Sequence, residues 1–226
     1  MIVSELKPWE EVLDYLGTES KIFIVGCKGC AEVCQTGSEP QVLEMKQKIE
    51  QEGKRVTGYT VVDFLCDKSL VKLRLMTHED EIAEADSLLV MTCGIGVQAT
   101  AAVANKVTHP ACNTVSVGGA PGTWRGSERC QECGDCVLDI TGGICPVTMC
   151  TKSLINGICG GMKNGMCEVE PDIRDCGWYL IYERLKKLNR LDKMREILPP
   201  KAYGKMQPPK HLRSTIMWAL ENREKE

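Results

Sequence analysis

The sequence contains no apolar run approaching the ~18 residues needed to cross a bilayer, so a soluble protein is expected. The stretch from Met1 to Glu11 lacks a basic region followed by an apolar one, so no secretory signal is read there and a reducing cytoplasm is the expected compartment. An excess of basic charge is also missing. The 28 Lys and Arg and 31 Asp and Glu are interspersed and leave a net charge of −3, which gives no electrostatic footprint for a nucleic-acid backbone. Histidine is scarce: His78, His109 and His211 lie far apart without partners at metal-ligand spacing, so surface or structural roles are expected for all three.

Cysteine, in contrast, is abundant. Fourteen residues, about 6% of the chain, fall below the density of short secreted disulfide scaffolds, and eight of them crowd into the stretch from Cys130 to Cys176. That stretch opens Cys130-Gln131-Glu132-Cys133-Gly134-Asp135-Cys136, the C-x2-C-x2-C run that wraps three corners of a [4Fe-4S] cube in bacterial ferredoxins. Two intervening residues let one tight turn aim two sulfurs at one centre, and Gly134 can take the positive φ that such a turn uses. Cys145-Pro146 resembles the Cys-Pro pair that closes the ferredoxin run, but it follows Cys136 after eight residues rather than three, which leaves the fourth ligand open.

Cys150, Cys159, Cys167 and Cys176 follow among many glycines and supply thiolates for a second site. A segment with so few large apolar side chains cannot bury enough surface to fold by packing, so metal is expected to supply the folding energy. Long intervals alone would suit disulfides or scattered core cysteines; C-x2-C-x2-C does not.

Before this belt, strands alternate with helices. Trp9, Val12, Leu13 and Leu16 share a helical face that Gly17 ends, and Lys21–Gly26 reads as a buried strand running into Cys27. Ser38 to Gln41 resembles a capping box before a helix that Gly53 terminates. Arg55–Leu65 is β-rich and arrives at Cys66, Thr77–Ala85 reads as helical, Ser87–Thr92 is a strand delivering Cys93, and Gly94–Lys106 is an alanine-rich helix. Asn113–Val117 is read as a fourth strand. The alternation predicts an α/β fold, a parallel-sheet Rossmann- or flavodoxin-like domain over 1–119. A linker over 120–129, a cysteine-rich metal-binding module over 130–177 and C-terminal helices over 178–226 complete the expected organisation.

In a parallel sheet Cys27, Cys66 and Cys93 lie along the C-terminal rim, where such sheets bind ligands. With Cys30 and Cys34, five thiols meet there, and any four could hold a [4Fe-4S] cluster. Gly26, Gly29, Gly94 and Gly96 allow the backbone close to that cluster, and the following helices would aim N-terminal amides at it. Two other readings compete. Cys27-Lys28-Gly29-Cys30 after a strand also fits a thioredoxin-like pair, and Gly94-Ile95-Gly96 starts like a dinucleotide fingerprint, although no acidic ribose ligand follows about 20 residues on. Cys112 is expected to be a core residue.

From Gly177 onward Trp178, Ile181, Leu185, Leu188, Leu191 and Met194 form one helical stripe, Pro199-Pro200 stops it, and a last helix is expected over 211–223. Trp124-Arg125 in the linker is a possible contact point, and the apolar tail helix either folds back or docks on a partner.

The irregular string Asp135-Cys136-Val137-Leu138-Asp139, Thr141-Gly142-Gly143-Ile144-Cys145-Pro146, Leu154-Ile155-Asn156-Gly157, Cys159-Gly160-Gly161, Cys167-Glu168-Val169 and Asp175-Cys176-Gly177-Trp178 resembles the small, MetV-type subunit of methylenetetrahydrofolate reductase from acetogenic bacteria. Its cysteine-rich part is similar to the module called the methylenetetrahydrofolate reductase C-terminal domain, often described as zinc-binding, and the Gly26–Cys34 loop also looks like that subunit's. The resemblance implies a MetF-type flavoprotein partner, a flavin-bearing barrel that reduces methylenetetrahydrofolate to methyltetrahydrofolate. This chain is too short to contain such a barrel. It is therefore expected to pass electrons to the partner's flavin or to hold the complex together, with no catalytic residue of its own. The expected cofactors are two or more [4Fe-4S] clusters, with zinc as the alternative at one belt site. A structural zinc scaffold and a thiol-disulfide oxidoreductase are the competing functions.

Overall fold

The computed structural model describes residues 1–119 and 128–206. Trp124, His211 and the expected tail helix lie outside the described residues. The chain divides into two units, Met1–Val117 and Gly118–Glu226.

In chain order the first unit comprises β1 (Ile2–Leu6), α1 (Trp9–Leu16), β2 (Lys21–Cys27), α2 (Cys30–Val33), α3 (Glu39–Gln51), β3 (Arg55–Val62), α4 (Lys68–Met76), α5 (Glu79–Glu84), β4 (Ser87–Met91), α6 (Gly94–Ala104), β5 (Thr108–Pro110) and β6 (Cys112–Val117). Strands β3, β2, β4 and β5 lie in that order in one parallel sheet. Parallel strands need crossovers, and the crossover helices cover both faces, so the central strands are apolar on both sides. Ile22, Ile24, Leu89 and Met91 pack on one face with Val12 and Leu16 of α1 and Val42, Met45 and Ile49 of α3. Phe23, Val25, Leu88 and Val90 pack on the other with Val71 and Leu75 of α4, while Val97 and Val103 of α6 cover them. The period of two in β2 and β4 thus feeds two cores, and both strands are the middle of a three-layer unit.

Three local expectations are corrected. Asn113–Val117 does not join the parallel sheet. Pro110, with no N–H to donate, ends the short fourth strand β5, and β6 leaves to pair antiparallel with β1, Ile2 opposite Val117 and Leu6 opposite Cys112. A helix not anticipated, α4, is started by Asp67, whose carboxylate accepts from the amides of Ser69 (2.8 Å) and Leu70 (3.3 Å). At α3 the Ser38 hydroxyl donates to the Gln41 side chain instead of accepting from the helix backbone, so the capping box is not closed.

The described residues of the second unit form α7 (Pro146–Met149), α8 (Gly177–Lys187) and 3-10 turns at Leu191–Arg195 and Tyr203–Met206. Its core is Cys176, Trp178, Ile181 and Leu185, with Ile144, Cys150, Leu154 and Met162 packed against them. The Trp178 indole donates to the Leu154 carbonyl at 2.8 Å, and the Asn156 side chain exchanges two hydrogen bonds with the Leu198 backbone, at 2.9 and 2.8 Å. Gly177 is pressed so tightly on α7 that an added Cβ would sit 2.7 Å from the Met149 carbonyl. The helical stripe stops sooner than its apolar spacing predicts. Leu188 caps α8, Asn189 turns the chain with a φ of 55°, and Leu191 and Met194 fall on a partly exposed 3-10 turn.

Candidate metal centres

The strand order places β2 beside β4 with β3 on the far side of β2, so successive crossovers leave the β2–β4 pair in opposite directions and open a crevice at its C-terminal end. Cys27 is the last residue of β2, Cys30 the first of α2, Cys66 follows β3, and Cys93 caps α6 just beyond β4. The fold therefore delivers thiols from three neighbouring strands to one rim. Cys27 and Cys93 are buried, Cys30 is half-buried and Cys66 is exposed at the edge.

Burial pushes the Cys66 thiol up, its own backbone opposes this, and the charges of Cys27, Cys93 and Cys30 push it further. Cys34 is absent from that set. Its sulfur instead donates to the Ile2 carbonyl of β1 at 3.8 Å, and its charge, like that of Cys93, is felt at Cys112. Cys112 lies in the α1/α3 core, where burial drives its thiol up to about 12. That burial, with a 3.8 Å contact to the Thr36 carbonyl, is the setting expected of a core cysteine.

The four rim glycines differ in what they face. Added Cβ atoms would strike the Gly37 carbonyl at Gly26 (2.5 Å), the Phe64 ring at Gly29 (3.0 Å) and the Thr92 side chain at Gly96 (2.6 Å), whereas Gly94 is open, with only Thr114 Oγ1 near, at 3.6 Å. The Gly94 amide donates to that same hydroxyl at 2.8 Å. Three of these glycines thus let the chain's own layers close, and the first amide of α6 already has a partner.

In the second unit Cys150, Cys159, Cys167 and Cys176 line one small cavity, together with Thr151, Met162 and Trp178. Cys167 and Cys176 are buried, and the cavity abuts the unit's only cluster of buried apolar side chains among the described residues. Thr151 Oγ1 lies 3.0 Å from the Cys167 sulfur, and its hydrogen bond, with help from the Val169 backbone, holds that thiol below its ordinary value. Lys152 and Glu168, an ion pair, flank the same cavity.

The C-x2-C-x2-C loop is the more exposed part. Cys130 and Cys136 are exposed and Cys133 half-buried, and Gly134 takes the positive φ its position predicts, 68°. Hydrogen bonding to the Asp135 backbone, aided by Lys201, holds the Cys133 thiol below its ordinary value. Lys201 Nζ lies 3.4 Å from the Cys133 sulfur. Cys145 caps α7 ahead of Pro146. No spacing rule in the sequence points to Lys201 or Thr151 as neighbours of these thiols.

All fourteen cysteines are free of disulfides, and among the described residues no three Cys, His, Asp or Glu side chains converge tightly enough to hold a single metal ion. Of the described histidines, His78 pairs with Glu81 at 2.5 Å and His109 with Glu19 at 3.2 Å. Among the described residues no helix is long and apolar enough to cross a membrane.

Neither the curated proteins nor the solved structures contain a significant match. Residues 109–204 match the model of a family described as methylene-tetrahydrofolate reductase C terminal, a span that begins at β5 and takes in every cysteine of the belt. Over residues 109–204, less than half of the chain, the sequence is thus similar to the C-terminal segment of methylenetetrahydrofolate reductase.

Proposed function

We propose that this protein is the iron-sulfur electron-transfer and assembly subunit of a methylenetetrahydrofolate reductase, serving a MetF-type flavoprotein that binds the folate. The carrying observation is the cavity lined by Cys150, Cys159, Cys167 and Cys176 inside the matched family segment. Four thiols on one cavity are the donor set of a four-thiolate iron-sulfur cluster or of a four-thiolate zinc site. Trp178, Ile181 and Leu185 contribute roughly 1.5–3 kcal/mol each by burial, whereas ordering the backbone costs ~1–2 kcal/mol per residue, so an apolar core of this size needs metal–thiolate bonds beside it.

On this reading Cys27, Cys30, Cys66 and Cys93 hold one cluster at the rim and Cys34 stays outside it. Cys150, Cys159, Cys167 and Cys176 hold a second centre, and Cys130, Cys133 and Cys136, with Cys145 as fourth ligand, hold a third. Such clusters supply one-electron transfer at potentials that the protein sets through charge, hydrogen bonds to sulfur and exposure. This chain's residues position the thiols and exclude water from Cys27, Cys93, Cys167 and Cys176, while the hydride chemistry belongs to the partner's flavin.

A zinc scaffold is the second reading, favoured by the way two thiols, Cys176 and Cys150, are built into the small core itself. Anaerobic purification with iron, sulfide and zinc quantification and a visible spectrum separates the two. About eight or more irons per chain and a broad band bleached by dithionite are expected for two or more four-iron clusters. A colourless protein holding zinc alone would sink the electron-transfer function and leave the scaffold.

A further inference from the structure

Residues 201–206 lie over the C-x2-C-x2-C loop as a strap. Its closeness is set by Gly134, where an added Cβ would meet the Lys205 carbonyl oxygen at 2.6 Å. Two lysines of the strap point into the loop. Lys205 Nζ lies 3.1 Å from the Asp135 carboxylate, an exposed and therefore weak pair. Lys201 is half-buried and makes a different contact, donating both to the Asp135 carbonyl and to the Cys133 sulfur at 3.4 Å.

We propose that Lys201 is a positioning residue that raises the reduction potential of the centre held by Cys130, Cys133 and Cys136, by placing a fixed cation and an N–H donor on the Cys133 sulfur. The inference rests on the proposed iron-sulfur reading of that loop. The couple is a one-electron one: the centre accepts an electron from an external one-electron donor, and no bond to sulfur forms or breaks. Reduction adds a negative charge beside a cation that is present in both states, so the reduced form is stabilised more. Hydrogen bonds from outside the ligand set act in the same direction.

The test is a redox titration of the full-length, anaerobically purified protein followed by electron paramagnetic resonance, with iron counted in every sample. The signal that disappears in Cys133→Ala identifies the loop's centre, and the remaining signals serve as internal standards. In Lys201→Met that centre is expected to keep its iron while its reduced-to-oxidised ratio at fixed potential falls about tenfold, about 59 mV for one electron. Lys201→Arg, which retains charge and donors, is expected to restore most of it. If Lys201→Met loses the centre, Lys201→Gln, neutral but still a donor, is titrated in its place and must show a lowered potential. A full iron complement with an unmoved potential in the neutral variant overturns the role of Lys201 and leaves the cluster reading standing. A wild-type protein without a signal sensitive to Cys133→Ala overturns the cluster reading at this loop instead.

Discussion

Replacing Gly177 by alanine puts a methyl group 2.7 Å from both the carbon and the oxygen of the Met149 carbonyl and 3.0 Å from the Cys150 amide nitrogen. Carbon atoms in good contact sit at about 3.5–4.0 Å, so α7 and α8 must part by roughly 1 Å. These obstacles are backbone atoms and cannot rotate away. Overpacking of this kind costs ~1–3 kcal/mol, against a helix-propensity gain of at most ~1 kcal/mol for Gly to Ala. A net loss of ~1–2 kcal/mol lowers a urea midpoint by ~0.5–1 M at a slope of ~2 kcal/mol/M. Separation of the two helices also displaces Cys150 and Cys176, so metal in the cavity they line should fall in parallel. The assay is anaerobic urea unfolding followed by tryptophan fluorescence, with metal analysis of the same preparation. Gly204→Ala, where nothing lies within 4 Å, is the control and should unfold as wild type. An unchanged midpoint and metal content in Gly177→Ala would refute the claim that this helix contact holds the thiols in place.

Further expectations concern the first unit. On the proposed reading, Cys34→Ala should retain the iron proposed at the rim, whereas Cys66→Ala should lose it; equal loss in both, measured as iron per chain, would return Cys34 to the proposed ligand set. Cys112 should resist iodoacetamide at neutral pH in the folded protein, because burial holds its thiol protonated up to about pH 12, and mass spectrometry of the labelled sites checks this. The same shift has a stability consequence with a defined sign. Above the ordinary thiol range near 8.5 the unfolded chain ionises Cys112 and the folded one does not, so its contribution is intact below that pH and is lost progressively toward pH 12. A stability curve that stays flat through that alkaline window, after comparison with Cys112→Ala, would contradict it.

How far the fold could be read from the chain depended on how locally each element is specified. The buried runs KIFIVGC and SLLVM are apolar at every position after the first, which marks a strand covered on both faces, and α1 carries its own stop at Gly17, with a φ of 42°. These elements lie where the sequence puts them. β1 escaped because it is short, mostly half-exposed, and defined by a partner at the other end of the unit. β6 was recognisable as a strand, but neither its sheet nor its direction is written in its residues. α4 buries only Val71 and Leu75, too little for a periodic signal, although Asp67 offered a cap that could have announced it. At the thiols, spacing in the sequence points to the groups, whereas the contact of the Cys34 sulfur with the Ile2 carbonyl depends on where β1 lies. Lys201 reaches Cys133 across a long chain interval, and no local pattern encodes such a contact.

The two sets of thiols also differ in when they can exist. Cys150, Cys159, Cys167 and Cys176 follow one another within a short stretch, so their ring can close as soon as that stretch is made, and a bound metal can itself drive the closure. The rim is another matter: Cys27, Cys66 and Cys93 hang from the ends of β2, β3 and β4, and they meet only after two crossovers have wound and three strands have paired in register. Closing such distant contacts is slow, since the chain loses loop entropy before any of them stabilises it. The parallel sheet therefore acts as an assembly clock. On the proposed reading, a cofactor at the rim can be inserted only into a finished first unit, whereas one at the belt thiols can enter while their chain is still folding.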